Sequence, residues 1–217
     1  MNTNAIGLFG GTFDPLHAGH MHIATTALET LPIAKLRWIP SGDPGHRNAP
    51  VAKGTHRLAM VRVAIAGEPR FELDAAEVMS GEPTFTVPTL RRLRATLGGA
   101  VPLVLVSGAD SFLSLPTWHA WRELFGLAHI AVAARPGHSL DVQSMHSLLR
   151  SEYEARRVEP GTLAATPAGR IAMFPLSPLD VSATDLRARL ARGERPTELL
   201  PPEVLAYIDS HRLYRPV

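Results

Sequence analysis

Residues 10 to 20 read Gly-Gly-Thr-Phe-Asp-Pro-Leu-His-Ala-Gly-His, residue types suited to handling phosphate. Two glycines let a main chain approach a ligand where a side chain would block it. Asp14-Pro15 turns the chain, and His17 and His20 then arrive beside a helix start. Imidazole N–H donors there reinforce the positive end of the helix dipole and suit a polyanion. Plainer readings exist for the same residues. Gly-Gly after a strand is commonly only a tight turn. His17, His20 and His22 could form half of a metal site, but zinc needs a further protein ligand, and the chain has no cysteine and no evident later partner.

A second cluster stands near the other end. Val181-Ser182-Ala183-Thr184-Asp185-Leu186-Arg187 lies where a strand gives way to a helix. Ser or Thr at a helix start caps free N–H groups, a sufficient structural explanation by itself. Arg187 adds specificity: three residues beyond Thr184, it projects from the same helical face back toward the cap. Hydroxyls and a guanidinium at a helix N-terminus match two phosphate groups.

The elements that must position these clusters alternate along the chain. Apolar runs at 5–9, 35–40, 71–73, 102–107, 130–133 and 171–174 read as strands. Helical spacing follows the first cluster (Ile23, Ala27, Leu28, Leu31) and recurs over 57–65, 86–97, 183–192 and 203–211. In the 86–97 helix, Val87, Leu90, Leu93 and Leu97 form the buried stripe, and Arg91, Arg92 and Arg94 read as a solvated face. Residues 140–159 read as a helix and a surface connection. Residues 41–54, rich in Gly and Pro, read as a long loop of the kind that serves as a ligand lid. This alternation predicts an α/β fold, a parallel sheet with helices on both faces. With no repeat or low-complexity linker, one domain is expected over 1–217, with a C-terminal helical part from about 182.

Composition excludes several classes. Of 217 residues, 45% are hydrophobic and 19% charged, the balance of an ordinary soluble globular protein. Net charge is +2 although the pI is about 9.4, because no Cys and only three Tyr titrate between the histidines and the lysines. No nucleic-acid-binding motif is present. Zero cysteines exclude a disulfide scaffold and fit a reducing cytoplasm. A first strand starting within a few residues leaves no room for a signal peptide, and no run is long enough to span a membrane. A cytoplasmic protein without a membrane partner is expected.

His17-Ala18-Gly19-His20 resembles the His-x-Gly-His signature of the nucleotidyltransferase superfamily, and Ser182 to Arg187 resembles its second signature, Ser-Ser/Ala-Thr-x-x-Arg, in the Ala variant. The intervening segments Ile39-Pro40, Asp43-Pro44-Gly45-His46-Arg47, Pro83-Thr84-Phe85-Thr86, Ser107-Gly108-Ala109-Asp110-Ser111, Leu115-Pro116-Thr117-Trp118 and Arg135-Pro136-Gly137 are similar to those of bacterial nicotinate-nucleotide adenylyltransferases, along essentially the whole chain. Phosphopantetheine adenylyltransferases share the two end signatures but are shorter and lack the Pro-x-Trp segment. Two departures stand out. Gly45 replaces the family's usual Pro before His46, and His119 replaces the usual Tyr after Trp118.

The resemblance implies a Rossmann-like fold and transfer of AMP from ATP to nicotinate mononucleotide, with release of pyrophosphate. The nucleophile is already a phosphate oxygen, so the obstacle is charge repulsion. Two unit charges 4 Å apart repel by about 1 kcal/mol in water and about 4 at an effective dielectric of 20. By resemblance, Gly10, Gly11 and Thr12 offer donors to the phosphates, and His17 and His20 act on the α-phosphate. Ser182, Thr184 and Arg187 hold the β- and γ-phosphates. Mg²⁺ bridges the phosphates with few protein ligands. For the acceptor, Thr86 and His119 supply N–H donors to the nicotinate carboxylate, and Asp110 meets a ribose hydroxyl or serves only as a helix cap. Trp118 stacks on the pyridinium or fills the core. His46, Arg47 and Arg135 are candidates for the acceptor's phosphate. Related acceptors (nicotinamide mononucleotide, phosphopantetheine), a non-catalytic nucleotide-binding protein, and a homo-oligomeric assembly remain open.

Overall fold

The computed structural model describes residues 4–42, 50–134, 145–177 and 179–215. Seven strands form the sheet: β1 (Ile6–Gly11), β2 (Lys35–Pro40), β3 (Phe71–Leu73), β4 (Leu103–Gly108), β5 (His129–Ala134), β6 (Arg157–Val158) and β7 (Ile171–Pro175). Their order is β3-β2-β1-β4-β5-β7-β6. It is a parallel sheet with helices around it, the Rossmann-like architecture expected. The pairings of β1 with β4, β4 with β5, β5 with β7 and β6 with β7 are all parallel. The sheet is wound outward in two directions from β1 and β4, which puts the topological switch point between them. In open α/β sheets, ligands bind beyond the carboxyl ends of the strands at such a point.

Nine α-helices complete the described residues: α1 (Ala18–Thr30), α2 (Gly54–Ile65), α3 (Ala76–Ser80), α4 (Thr86–Leu97), α5 (Ala109–Leu113), α6 (Leu124–Leu127), α7 (Ser147–Arg156), α8 (Ala183–Ala191) and α9 (Pro202–Ser210). None is long and apolar enough to cross a membrane. The chain divides into two units. One comprises Met1–Gly10, Ile23–Arg37 and Phe85–Pro178, the other Gly11–His22, Trp38–Thr84 and Leu179–Val217.

In the first unit β4 and β5 are buried along nearly their whole length, as continuous apolar runs require when both faces of a parallel sheet are covered. Alongside them α4 buries Val87, Leu90 and Leu93, three members of the expected stripe. One arginine of its outer face departs from expectation. Arg91 makes an exposed ion pair with Glu123. Arg94 is instead a staple for main-chain carbonyls, donating to Leu127 (2.7 Å), Val101 (2.5 Å) and Pro167 (2.7 Å). The planar guanidinium fork satisfies several turns at once, a use that helical periodicity does not reveal. Nearby His129, fully buried, joins β5 to the 166–170 segment. Its Nε2 lies 2.6 Å from the Thr166 carbonyl, and its Nδ1 accepts the Arg170 N–H.

The short elements α3, α5, α6 and β6 are the main differences from expectation. Two to five residues carry no readable period. The two-residue strand β6 falls inside the 140–159 stretch read as helix and connection.

Arg94 and Arg91 differ by one turn of helix but should differ sharply in energetics. Arg94→Met should lower unfolding free energy by about 1–3 kcal/mol, since it strands carbonyl groups bonded to a charged donor. Arg91→Met should change it by less than about 0.5 kcal/mol. Urea unfolding of both variants checks this, and equal midpoints would remove the staple.

Candidate phosphate-binding site

In the second unit the two sequence clusters come together. Phe13 follows the end of β1 with φ of 51° and is 1% exposed; its ring packs against His20 (centroids 5.0 Å apart) and Trp38 (5.3 Å). A Cβ on Gly11 would lie 2.8 Å from that ring. At Gly11 the missing side chain makes room for the Phe13 ring. Gly10, in the first unit, is the penultimate residue of β1, near the carboxyl end of a strand that borders the switch point.

Gly19 has a different neighbour. A Cβ there would lie 2.6 Å from Cγ1 of Val181 and 3.2 Å from the His17 imidazole. The start of α1 therefore touches the residue before Ser182 because position 19 has no side chain. Two further bonds hold the same junction. The Ala18 N–H donates to the Leu199 carbonyl (2.8 Å), and Arg187 donates from Nη1 to the main-chain carbonyl of Asp14 (2.7 Å). Arg187 Nη2 also donates to Thr184 Oγ1 (3.2 Å). Ser182 occupies the N-cap position of α8, yet its hydroxyl makes no capping bond. The capping explanation for Ser182 fails, and its exposed hydroxyl sits beside free helix N–H groups.

The two histidines are stacked, with centroids 3.7 Å apart. The His17 main-chain N–H donates to His20 Nδ1 (3.2 Å), so neutral His20 carries its proton on Nε2. Burial pushes the His17 imidazole down to about 4, and burial together with His17 holds His20 well below the usual histidine value. Two cations at this separation would repel by about 4 kcal/mol at an effective dielectric of 20. Both rings are therefore neutral in the free protein at pH 7, and both present an N–H. Buried His17 Nδ1 has no hydrogen-bond partner among the described residues, an unusual condition for an interior polar atom.

Three residues outside the expected set support this arrangement. Asp14, 6% exposed, accepts N–H bonds from Val51 (2.8 Å) and Ala52 (3.1 Å) and a bond from the Tyr214 hydroxyl (2.7 Å). Arg57, 1% exposed, donates to the carbonyls of Thr12 (2.8 Å), Gly42 (2.7 Å) and Ala52 (3.2 Å). Asp14 was visible inside the first cluster but read only as a turn former. Neither Arg57, beside an apolar stripe, nor Tyr214 carries a local signal.

Of the expected acceptor residues, four lie in the first unit. Thr86 is the first residue of α4, and the preceding Phe85 ring packs on the His119 ring (centroids 5.1 Å). The first turn of α4 holds no acidic residue. Asp110 is exposed in the first turn of α5, where Gly108 and not Asp110 is the N-cap. Trp118 is half-buried, with its indole N–H donated to Ser114 Oγ (3.2 Å). His46, Arg47 and Arg135, with residues 43–49 of the 41–54 loop, lie outside the described residues.

Comparison with known proteins agrees with this geometry. A cytidylyltransferase-like family model matches residues 8–189. A Dechloromonas aromatica protein named "Probable nicotinate-nucleotide adenylyltransferase" is 47% identical over 211 residues, 97% of each chain. A protein of the same name from Laribacter hongkongensis is 45% identical, covering 97% of this chain and 94% of its own. Among solved structures, Plasmodium falciparum nicotinic acid mononucleotide adenylyltransferase complexed with NaAD has a TM-score of 0.72 at 14% identity, covering 97% of both chains.

Two measurements probe the site. Gly19→Ala should lower kcat/KM at least about tenfold, equivalent to about 1.4 kcal/mol, by forcing α1 away from Val181; adding Val181→Ala should restore most of it, and no restoration would refute the contact. The buried histidines set the second. His17, His20 and His129 all resist protonation when folded, with burial the leading cause, while unfolded imidazoles titrate near 6.5. Acid thus loads the unfolded chain first, so stability is complete above about pH 6.5 and falls as pH drops toward the folded values. His17→Gln should flatten that fall by up to about 1.4 kcal/mol per pH unit between pH 6 and 4.5, read from urea unfolding at each pH. An unchanged slope would mean His17 is charged when folded.

Proposed function

Since the chain belongs to the nicotinate-nucleotide adenylyltransferase family, we propose that it transfers the adenylyl group of ATP to nicotinate mononucleotide, yielding nicotinate adenine dinucleotide and pyrophosphate. The observation that carries the reading is the convergence of His17, His20, Thr184 and Arg187 on one junction, held by the Arg187 bond to Asp14. That junction supplies N–H donors and a fixed cation where a triphosphate must be gripped.

In this reading Gly10, Gly11 and Thr12 offer main-chain and hydroxyl donors to the phosphates, and Ser182, Thr184 and Arg187 hold the β- and γ-phosphates and the departing pyrophosphate. His17 and His20 take the α-phosphate, where negative charge grows as the acceptor oxygen attacks. Neutral N–H donors suit this role, because each nearby anion favours the charged imidazole and strengthens the contact as charge builds. No general base is needed, since the attacking oxygen is an ionised phosphate. The remaining task is in-line positioning and neutralisation.

A divalent metal is general to nucleotidyltransferases, and Mg²⁺ is the ion proposed. Its fit is to the substrate rather than to a protein cage. Among the described residues no group of three or more His, Asp or Glu side chains could hold an ion. Both Asp14 oxygens already accept N–H or O–H donors. When bound through phosphate oxygens, the cation would share in neutralising the triphosphate.

For the acceptor, the free N–H groups opening α4 at Thr86 suit a carboxylate. An amide would turn its own N–H₂ toward one of these donors and leave it unpaired, which disfavours nicotinamide mononucleotide. The anchored indole of Trp118 suits stacking against a pyridinium. His119, Asp110, His46, Arg47 and Arg135 complete the proposed acceptor set. A soluble, cytoplasmic enzyme acting on small molecules is the setting proposed.

The deciding assay offers Mg²⁺, ATP and one acceptor at a time. Pyrophosphate should appear with nicotinate mononucleotide and far more slowly with nicotinamide mononucleotide or phosphopantetheine. His20→Ala should lower kcat by about 10²–10³ with little change in the KM for ATP. Normal turnover with weakened ATP binding would reverse the assignment of His20, and equal rates with the amide acceptor would reverse that of the carboxylate site.

A further inference from the structure

Tyr214 is a buried titratable group that the proposed chemistry does not use. It is 8% exposed, follows α9 near the end of the chain, and holds φ of 59°, a main-chain conformation that favours glycine. A bulky aromatic kept at such a position points to a role for its side chain. The phenol donates to Asp14 Oδ1 at 2.7 Å. Burial first, and the Asp14 charge second, raise it well above the ordinary tyrosine value, so it stays a donor at every working pH.

The carboxylate it meets stands beside the cation of the site. Oδ1 takes the Ala52 N–H and the phenol, while Oδ2 takes the Val51 N–H and lies 3.9 Å from Arg187 Nη1. That nitrogen bonds the Asp14 main-chain carbonyl at 2.7 Å instead. Arg187 thus forms only a long ion pair with the Asp14 carboxylate, its hydrogen bond going to the main chain. Each neutral donor on the carboxylate spreads its charge and lessens its pull on the guanidinium.

We infer that Tyr214 is a positioning residue for the triphosphate: by occupying Asp14, it keeps Arg187 on the main-chain carbonyl and available to an anionic ligand. This inference rests on the reading of Arg187 as a phosphate ligand. Without the phenol hydroxyl, Oδ1 loses a donor, the long Arg187–Asp14 pair tightens into a close internal ion pair, and the substrate must compete for the guanidinium.

The test uses the full chain and inorganic tripolyphosphate as probe, with affinity measured by calorimetry for the wild type, Tyr214→Phe, Arg187→Met and the double variant. Tyr214→Phe should weaken tripolyphosphate binding about five- to tenfold and raise the KM for ATP in step. The KM for the acceptor and kcat should stay within about twofold. In the Arg187→Met background, Tyr214→Phe should add less than about twofold. Equal weakening in both backgrounds would mark a merely structural tyrosine, and no weakening in the first would overturn the inference outright. If Tyr214→Phe fails to fold, 3-fluorotyrosine placed at 214 keeps the shape and strengthens the donor. It should tighten tripolyphosphate binding, and unchanged or weaker binding counts against the role. A wild type that ignores tripolyphosphate would remove the phosphate reading and this inference with it. Retained tripolyphosphate behaviour with a wrong acceptor in the turnover assay would remove only the acceptor.

Discussion

A hydrogen bond of 2.7 Å from Arg187 to the carbonyl of Asp14 joins positions 173 residues apart, and the chemistry proposed for the site depends on it. Two reacting phosphates repel, so their binding groups must converge from places that local structure cannot bring together. A turn after one strand supplies N–H donors, and the first turn of a distant helix supplies hydroxyls and a cation. Neither alone offsets several kcal/mol of repulsion at low effective dielectric. The bond fixes their separation before any substrate arrives, so little reorganisation is left for the reaction.

Packing makes that convergence affordable and also tunes it. Gly19 lets α1 meet Val181, and Phe13 backs His20, so the histidines are partly withdrawn from water. Withdrawal lowers their proton affinity and keeps them neutral without a ligand. A site charged in advance would hold two stacked imidazolium ions against each other and against Arg187. Neutral rings avoid that cost, and in the proposed reaction an arriving polyanion would restore part of their basicity.

Much of this was legible in the residues. β2, β3 and α4 have the bounds that their apolar spacing predicts, and the helices at α8 and α9 differ from expectation by a residue at each end or fewer. The two clusters were recognisable because residues with unusual demands, glycine at a close contact and arginine beside a helix start, stand at fixed spacing. What was not legible is what depends on tertiary partners. Asp14 looked like a turn residue because its acceptor role is completed by main-chain N–H groups at Val51 and Ala52 and by a phenol 200 residues away. Ser182 looked like a cap because position alone suggested it, yet its hydroxyl is not spent there. Short elements such as α5 and β6 escaped because their length is below the period that would announce them.

The arginines show why residue type alone could not separate scaffold from site. Each guanidinium offers five N–H donors, and what distinguishes them is how those donors are spent. Arg57 gives its donors to carbonyls of Thr12, Gly42 and Ala52 and to the Ser41 hydroxyl, and it is almost wholly buried. Arg94 does likewise with carbonyls from Gly98 to Pro167. Both are saturated by the protein and act as internal splints. Arg187 gives Nη1 to the Asp14 carbonyl and Nη2 to Thr184, keeps part of its surface in solvent, and meets the Asp14 carboxylate only at 3.9 Å. An arginine held in place but not consumed is the form a polyanion site requires: orientation comes from the main chain, while the charge is left for the ligand. The fold achieves this by satisfying Asp14 from other sources, so that its carboxylate and Arg187 form only a long pair.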